Sequence, residues 1–248
     1  MTQIAIIGGT GCTGIPELDH PTSIEIETKF GTASIDQYDI QGKSIIFLPR
    51  HGKHFRLPPH KINFRANILA LKESGVDKII AINTVGGISS EMVPGTLVLP
   101  DQIIDYTYGR ANTFFDGPAD DCASESMHID FTQPFTPELH NLVAQQLENG
   151  NHTAQLQGVY GCVQGPRLET AAEIRKLKKD GCDIVGMTAM PEAALAREID
   201  LEYVSICVVV NWAAGINSGN IKVNEMNQIL SSVSKNLWTI IFKTVNLL

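Results

Sequence analysis

Four short polar stretches each follow an apolar run, and each could grip an anion. "IIGGTGCTGI" holds Gly9-Thr10-Gly11-Cys12-Thr13-Gly14, a G-x-G-x-x-G whose turn amides and Thr10 hydroxyl can cradle one small oxyanion. Pro49-Arg50-His51-Gly52 follows "KSIIFL" and offers a guanidinium fork and an imidazole. Asn83-Thr84-Val85-Gly86-Gly87 follows "DKIIAIN" and offers a glycine-rich nest of amides, and Met187-Thr188 follows Ile184-Val185. In an α/β sheet ligands gather at strand carboxyl ends, so these four tips can converge on one crevice.

The glycine motif by itself suggests a dinucleotide. That fingerprint needs a helix opening at its third glycine, because the helix N-terminus holds the pyrophosphate. Here Gly14 is followed by Ile15-Pro16-Glu17-Leu18-Asp19-His20-Pro21, which has two prolines and no helical period. An NAD-dependent oxidoreductase is therefore disfavoured. A metal site from His51, His54 and His60 in "HGKHFRLPPH" is disfavoured too, because no cysteine or carboxylate ligand lies at suitable spacing.

The elements that must position these tips alternate along the chain. Near-continuous Ile/Val runs predict strands at 3–7, 43–48, 77–83, 155–162 and 201–211, buried on both faces. Residues 23–40 alternate around Phe30-Gly31 as a hairpin would. Helices are expected at 62–74, 136–148, 170–180, 191–198 and 225–245. In the last of these Met226, Ile229, Leu230, Val233, Leu237 and Ile241 recur at helical spacing and read as core. The fold class is α/β, one domain over 1–248, with a parallel or mixed central sheet flanked by helices. The long connections at 50–61 and 106–135 are expected at the site or at an oligomer interface.

Composition excludes several classes. Nineteen Lys and Arg against 27 Asp and Glu give a net charge of −8, with no cationic run to neutralise a row of phosphates, so nucleic acid is not an expected partner. Five cysteines, odd in number and without C-x-x-C, fit a reduced cytoplasm rather than a disulfide framework. The first apolar run, Ile4 to Ile7, is too short for a signal peptide or membrane span. A cytoplasmic protein with no membrane partner is expected.

Taken in order, "IIGGTG", "RHG" with "PPHKINFRANILALK", "NTVGGI", "MHIDFTQPF", "QGPRLETAAE", "DIVGMTAMPEAALARE" and "VVVN" resemble the trimeric purine nucleoside phosphorylase and methylthioadenosine phosphorylase family. Within it the bacterial S-methyl-5′-thioinosine phosphorylases are the closest likeness. The resemblance runs from about residue 3 to the final helix. It implies a nucleoside-phosphorylase-like fold and phosphorolysis, in which inorganic phosphate attacks C1′ of a ribosyl group and a purine leaves. The protein's work is then placement and charge stabilisation. No cofactor is implied, since phosphate is a co-substrate. A homotrimer with shared sites is implied.

Carried over by motif, Thr10, Arg50, His51, Thr84 and Thr188 would hold phosphate, with Asn83 sharing the contacts of Thr84. Met187 would pack on the ribose, and His128 would reach the sugar's 5′ end from a neighbouring subunit. Leu168, Glu169, Asn211, Trp212 and Ala213 fall at the base site, with Glu169 and Asn211 as the catalytic pair.

An ionised carboxylate only accepts hydrogen bonds, whereas an amide donates and accepts. Glu169 can accept from N1–H of a 6-oxopurine, and from the 2-amino group of guanine; Asn211 can accept from N7–H and donate to O6. A 6-aminopurine would set an acceptor N1 against the carboxylate, a mismatch worth roughly 10⁴ in discrimination. Methylthioadenosine phosphorylases carry serine, aspartate and aspartate where this chain has Glu169, Asn211 and Ala213. The region "GNIKVNEMNQIL" has no histidine for a 5′-hydroxyl but has Ile221, Val223 and Met226, suited to a methylthio group, with Val223 as the specificity position. The expected substrate is S-methyl-5′-thioinosine, with inosine and guanosine as the alternative. Methylthioadenosine and a non-catalytic nucleoside-binding role are weaker readings.

Overall fold

Runs of isoleucine and valine build the centre of the molecule. The computed structural model describes residues 3–12, 14–16, 18, 20–40, 43–53, 57–115, 128–150, 152–219 and 221–248; Thr13 of the glycine loop, His54 and Cys122 lie outside them. The strands are β1 (Ile4–Gly8), β2 (Thr22–Thr28), β3 (Gly31–Ile40), β4 (Lys43–Pro49), β5 (Lys78–Gly87), β6 (Leu97–Val98), β7 (Gln102–Asp105), β8 (Ala154–Gln155), β9 (Val159–Cys162), β10 (Ile184–Gly186) and β11 (Glu202–Trp212). The helices are α1 (Phe64–Glu73), α2 (Pro137–Glu148), α3 (Ala171–Lys179), α4 (Ala189–Glu198) and α5 (Val223–Leu247).

All these strands join one mixed sheet. Its centre is parallel, with β4 beside β1, β1 beside β5 and β5 beside β11. Alternate residues of these strands feed opposite faces. Ile7, Ile79 and Ala81 pack with Ile68 and Leu71 of α1 and Leu195 of α4, whereas Ile6, Ile80 and Ile82 pack with Val143 of α2 and Leu237 and Ile241 of α5. Burial on both faces accounts for the unbroken apolar runs. The predicted hairpin is β2 and β3, paired from Thr22 with Gln37 to Thr28 with Gly31, and it joins β4 antiparallel. Asn63 ties it to α1, accepting the Ala66 N–H at the helix start and donating to the Phe30 carbonyl.

The expected strand at 155–162 is two pieces, β8 and β9, parted around Gly158. The short β6, β7 and β10 were not expected as strands, because two to four residues carry too little pattern to stand out. β5 runs on through Gly86 and Gly87, where a Cβ on Gly87 would lie 1.9 Å from the Met92 carbonyl oxygen. Between Gly14 and β2 the described residues form no helix. Among the described residues no helix is long and apolar enough to cross a membrane.

The sheet parts beside β5. One edge of β5 is paired along its length by β11; the other is paired by β1 at Lys78–Ala81 and by β10 only at Gly86 and Gly87. Residues 82–85 have no strand on that second edge. The strand alternation that turns the Ile82 carbonyl into this gap turns the backbone N–H and C=O of Thr84 there too.

Candidate active site

A cavity of about 180 Å³ opens at the parting of the sheet, and all four polar tips line it through Thr10, Arg50, His51, Thr84 and Thr188. Met187, Leu168, Glu169 and Asn211 line the same cavity. The glycine loop is here explained by close approach. A Cβ on Gly9 would stand 2.7 Å from the Ile82 carbonyl oxygen and 2.9 Å from Arg50 Nη1, and one on Gly11 (φ +80°) would stand 2.2 Å from Leu230 of α5. Bare backbone lets the loop lie flat across β5 and against α5.

Arg50 is fixed from inside the protein. Its Nε and Nη2 donate to the two oxygens of Glu192 at 2.7 and 2.8 Å, and Nη1 donates to the Ile82 carbonyl at 2.8 Å. Tyr203 donates its hydroxyl to the same carboxylate at 2.8 Å. Burial alone would loosen the guanidinium proton, but the facing carboxylate outweighs it and lifts Arg50 above its ordinary value. The guanidinium is therefore a permanent cation with its plane locked, and one Nη1 N–H remains on the glycine-loop side.

His51 lines the cavity with a defined tautomer: Nδ1 lies 2.8 Å from the Leu57 carbonyl, which can only accept, so Nδ1 carries the proton. Burial holds its pKa below 6.5, leaving the ring neutral at neutral pH. The 50–61 connection thus belongs to the site.

Glu169 stands just outside α3. That helix starts with a capping box, Thr170 accepting from the Glu173 N–H at 3.1 Å and Glu173 accepting from the Thr170 N–H at 2.7 Å. Glu173, which also pairs with Arg167, does the capping, so Glu169 is left to face the cavity. Burial raises its pKa above 4.5.

Asn211 owes its aim to a bulge. Val209 pairs with Val85 and Asn211 with Gly86, so Val210 is an extra residue in β11. Such an insertion re-aims the side chains beyond it. Asn211 Nδ2 then donates to the Trp212 carbonyl at 2.7 Å, which orients the amide with Oδ1 as the available acceptor and one Nδ2 proton to spare.

Other expected residues are placed differently. Asn83 is buried beneath the cavity rather than in its wall, donating to Thr188 Oγ1 at 2.8 Å and accepting from Ser205 at 2.9 Å. Ala213 does not line the cavity: its N–H bonds the Gly87 carbonyl and its side chain packs in a small cluster with Val185 and Ile88. Trp212 lines an adjoining cavity of about 110 Å³, shared with Asn211, Ile221, Met226 and Ile229. Val223, the expected specificity position, is 69% exposed in the first turn of α5 and lines neither cavity; Met226, one turn on and expected both in the core spacing and among the residues suited to a methylthio group, lines both. His128 is exposed and lines none of the cavities described. Among the described residues no three His, Cys, Asp or Glu side chains gather as a metal-binding group.

Two positioning residues were missed from sequence. Glu192 lay in the quoted "GMTAMPE", and its signal was a carboxylate inside an apolar helix, which demands a buried cation. Arg110, in the 106–135 connection, bonds the carbonyls of Met187, Met190, Val163 and Gln164 at 2.6 to 3.3 Å, with Nε on the Gln164 side chain. It clamps the loop bearing Leu168 and Glu169 to the loop bearing Met187. No local pattern announces it.

Residues 3–246 match the family described as the phosphorylase superfamily. The chain belongs to this superfamily. Among its curated members, a probable S-methyl-5′-thioinosine phosphorylase from Xylella fastidiosa is 47% identical over 233 residues, covering 93% of this chain and 96% of that one. A 6-oxopurine nucleoside phosphorylase from Pyrococcus furiosus is 39% identical over 249 residues, covering 100% and 94%. Among solved structures, methylthioadenosine phosphorylase from Schistosoma mansoni in complex with adenine superposes with a TM-score of 0.91 at 27% identity, covering 100% of this chain and 92% of that one.

Proposed function

We propose that this chain phosphorolyses a 6-oxopurine nucleoside, converting S-methyl-5′-thioinosine and phosphate to hypoxanthine and 5-methylthioribose 1-phosphate. The observation that carries the reading is one cavity with an anion grip at the parted sheet and the Glu169–Asn211 pair across from it. Phosphate held by Thr10, Thr84, Thr188 and the Arg50 cation is placed to attack C1′ as the C1′–N9 bond breaks. The electron pair of that bond passes to the purine, whose N7 takes up the proton that hydrogen phosphate gives up on becoming the sugar 1-phosphate. Asn211 Oδ1 accepts from N7–H and its spare Nδ2 proton meets O6, while Glu169 accepts from N1–H, so the departing base is stabilised where its charge develops.

Met226 supplies apolar surface suited to a methylthio group, and the relatives from Xylella and Pyrococcus support a 6-oxopurine as the base. No cofactor takes part. The family likeness supports a homotrimer acting in the cytoplasm, with His128 offered to a neighbouring site.

The test is base release from methylthioinosine, inosine, guanosine and methylthioadenosine, each with and without phosphate. Release should require phosphate and rank methylthioinosine first and methylthioadenosine last. Equal rates on inosine would remove the 5′ argument and leave the inosine/guanosine reading; preference for methylthioadenosine would remove the base argument.

A further inference from the structure

Thr188 begins α4 as its N-cap, yet its hydroxyl makes no capping bond to that helix. It receives a hydrogen bond instead. Asn83 Nδ2 donates to Thr188 Oγ1 at 2.8 Å, and the Asn83 orientation is fixed at its other end, where Oδ1 accepts from Ser205 Oγ at 2.9 Å and stands 3.5 Å from Arg50 Nη2. Arginine only donates, so the amide cannot turn its NH₂ that way. Ser205 has spent its single proton on Asn83, so the contact with Cys207 at 3.4 Å has the thiol as donor. Burial pushes that thiol up to about 12, which keeps the proton on sulfur.

Every bond in this buried chain runs the same way, from Cys207 to Ser205 to Asn83 to Thr188. Thr188, the last hydroxyl of the chain, keeps its proton unspent, and Thr188 lines the cavity.

We propose that Ser205 and Asn83 are positioning residues that compel the Thr188 hydroxyl to donate into the cavity, toward the oxyanion of the phosphate co-substrate. The inference rests on the phosphorolytic reading of that cavity. A threonine hydroxyl free to rotate could accept or donate; one whose lone pair is already occupied is a committed donor. Aligned bonds in a low-dielectric interior also polarise one another, which strengthens the last of them.

The experiment measures KM for inorganic phosphate at saturating nucleoside, and KM for nucleoside at saturating phosphate, in the full chain. Thr188→Val removes the donor, and a lost bond to a charged oxygen should raise phosphate KM about tenfold. Asn83→Asp replaces the donating NH₂ with an acceptor that draws the Thr188 proton inward, and should raise phosphate KM by at least as much. Ser205→Ala removes the shorter of the two donor contacts that hold Asn83 Oδ1, leaving only the 3.5 Å contact with Arg50, and should raise it by about threefold to fivefold, whereas Ser205→Thr, which keeps the hydroxyl, should restore it. Nucleoside KM should stay within about twofold throughout.

A merely structural role is separated by the double variant. In a Thr188→Val background, Ser205→Ala should change phosphate KM no further. The same fold-change in both backgrounds, or unmoved phosphate KM in the folded single variants, overturns the relay. If Asn83→Asp does not fold, the Ser205 pair in the two backgrounds decides alone. Turnover by the unaltered protein that ignores phosphate would sink the phosphorolytic reading and the relay together; phosphate-dependent turnover with unmoved phosphate KM sinks the relay only.

Discussion

Arg50 and Val223 were both expected around one substrate, and they obey opposite rules. Arg50 is 1% exposed and bound on three sides; Val223 is 69% exposed and touches no cavity wall. The anion end of the cavity is made from strand tips inside the sheet, where each polar atom is held by another: Glu192 holds Arg50, Asn83 holds Thr188 and Leu57 holds His51. The end we assign to the purine and sugar is made from the start of α3, the end of β11 and the first turns of α5, with exposed Leu168 in its wall. A small ion of fixed shape can be met by a rigid cradle. Base and 5′-group choice is left to positions whose replacement disturbs little else.

That contrast breaks most sharply at Glu192. Changing Glu192→Gln leaves the Arg50 cation buried without its counter-charge, and such loss of one partner costs about 3–5 kcal/mol. Chemical denaturation should show a loss of that size, with phosphate use reduced in whatever remains folded. A loss under about 1 kcal/mol would mean the cradle is not held from within.

At the other end, Asn211→Asp should leave stability nearly intact but change choice. An ionised aspartate cannot donate to the Trp212 carbonyl 2.7 Å away or to O6, so kcat/KM for methylthioinosine should fall about 100-fold, and preference should move toward 6-aminopurines. Unchanged selectivity would show that the bulge does not aim this residue at the base.

Glu169 sharpens the comparison through pH. Burial raises its pKa, so as the pH falls the carboxyl takes up its proton while still above 4.5 and stops accepting from N1–H. The ratio of kcat/KM for the unaltered protein to that for Glu169→Gln, taken at each pH so that phosphate's own ionisation cancels, should therefore rise with pH through a midpoint above 4.5 and then level off. A flat ratio would place Glu169 away from the base. His51, already neutral, should add no limb near 6.5.

The smallest effects belong to the helix start. Val223→Ala should change stability and the methylthioinosine-to-inosine ratio by less than about 0.5 kcal/mol each, as exposed side chains generally do. Met226→Ser should lower that ratio severalfold. If the two results were exchanged, the helix start would sit one turn from where it is described.

Much of this was legible in the sequence because burial writes clearly. Strands packed on both faces leave unbroken Ile/Val runs, so β1, β4, β5 and β11 could be read, and with the first three of them three of the four tips; the fourth, Met187-Thr188, follows the short β10. The five helices were expected close to where they lie, the last of them from its apolar spacing. What was not legible depends on register or on distant partners. The bulge at Val210 exists only relative to β5, and Arg110 is explained by carbonyls from remote segments. The resemblance that made Val223 attractive crosses a helix boundary, where a slip of one turn exchanges it with Met226, the residue that faces inward. Asn83 was read as a contact because it adjoins Thr84, but strand neighbours point to opposite faces.

The interruption along β5 has a consequence for the fold as well as for the chemistry. Backbone groups at a sheet edge seek a partner; the Ile82 carbonyl has one in Arg50, and in the function proposed above the phosphate would take the Thr84 N–H that a neighbouring strand could otherwise have met. Phosphate bound there would complete the architecture while it waits to react, and the folded population should gain as the ion accumulates. Supply of the co-substrate and endurance of the protein would thereby be coupled through one unpaired stretch of β5.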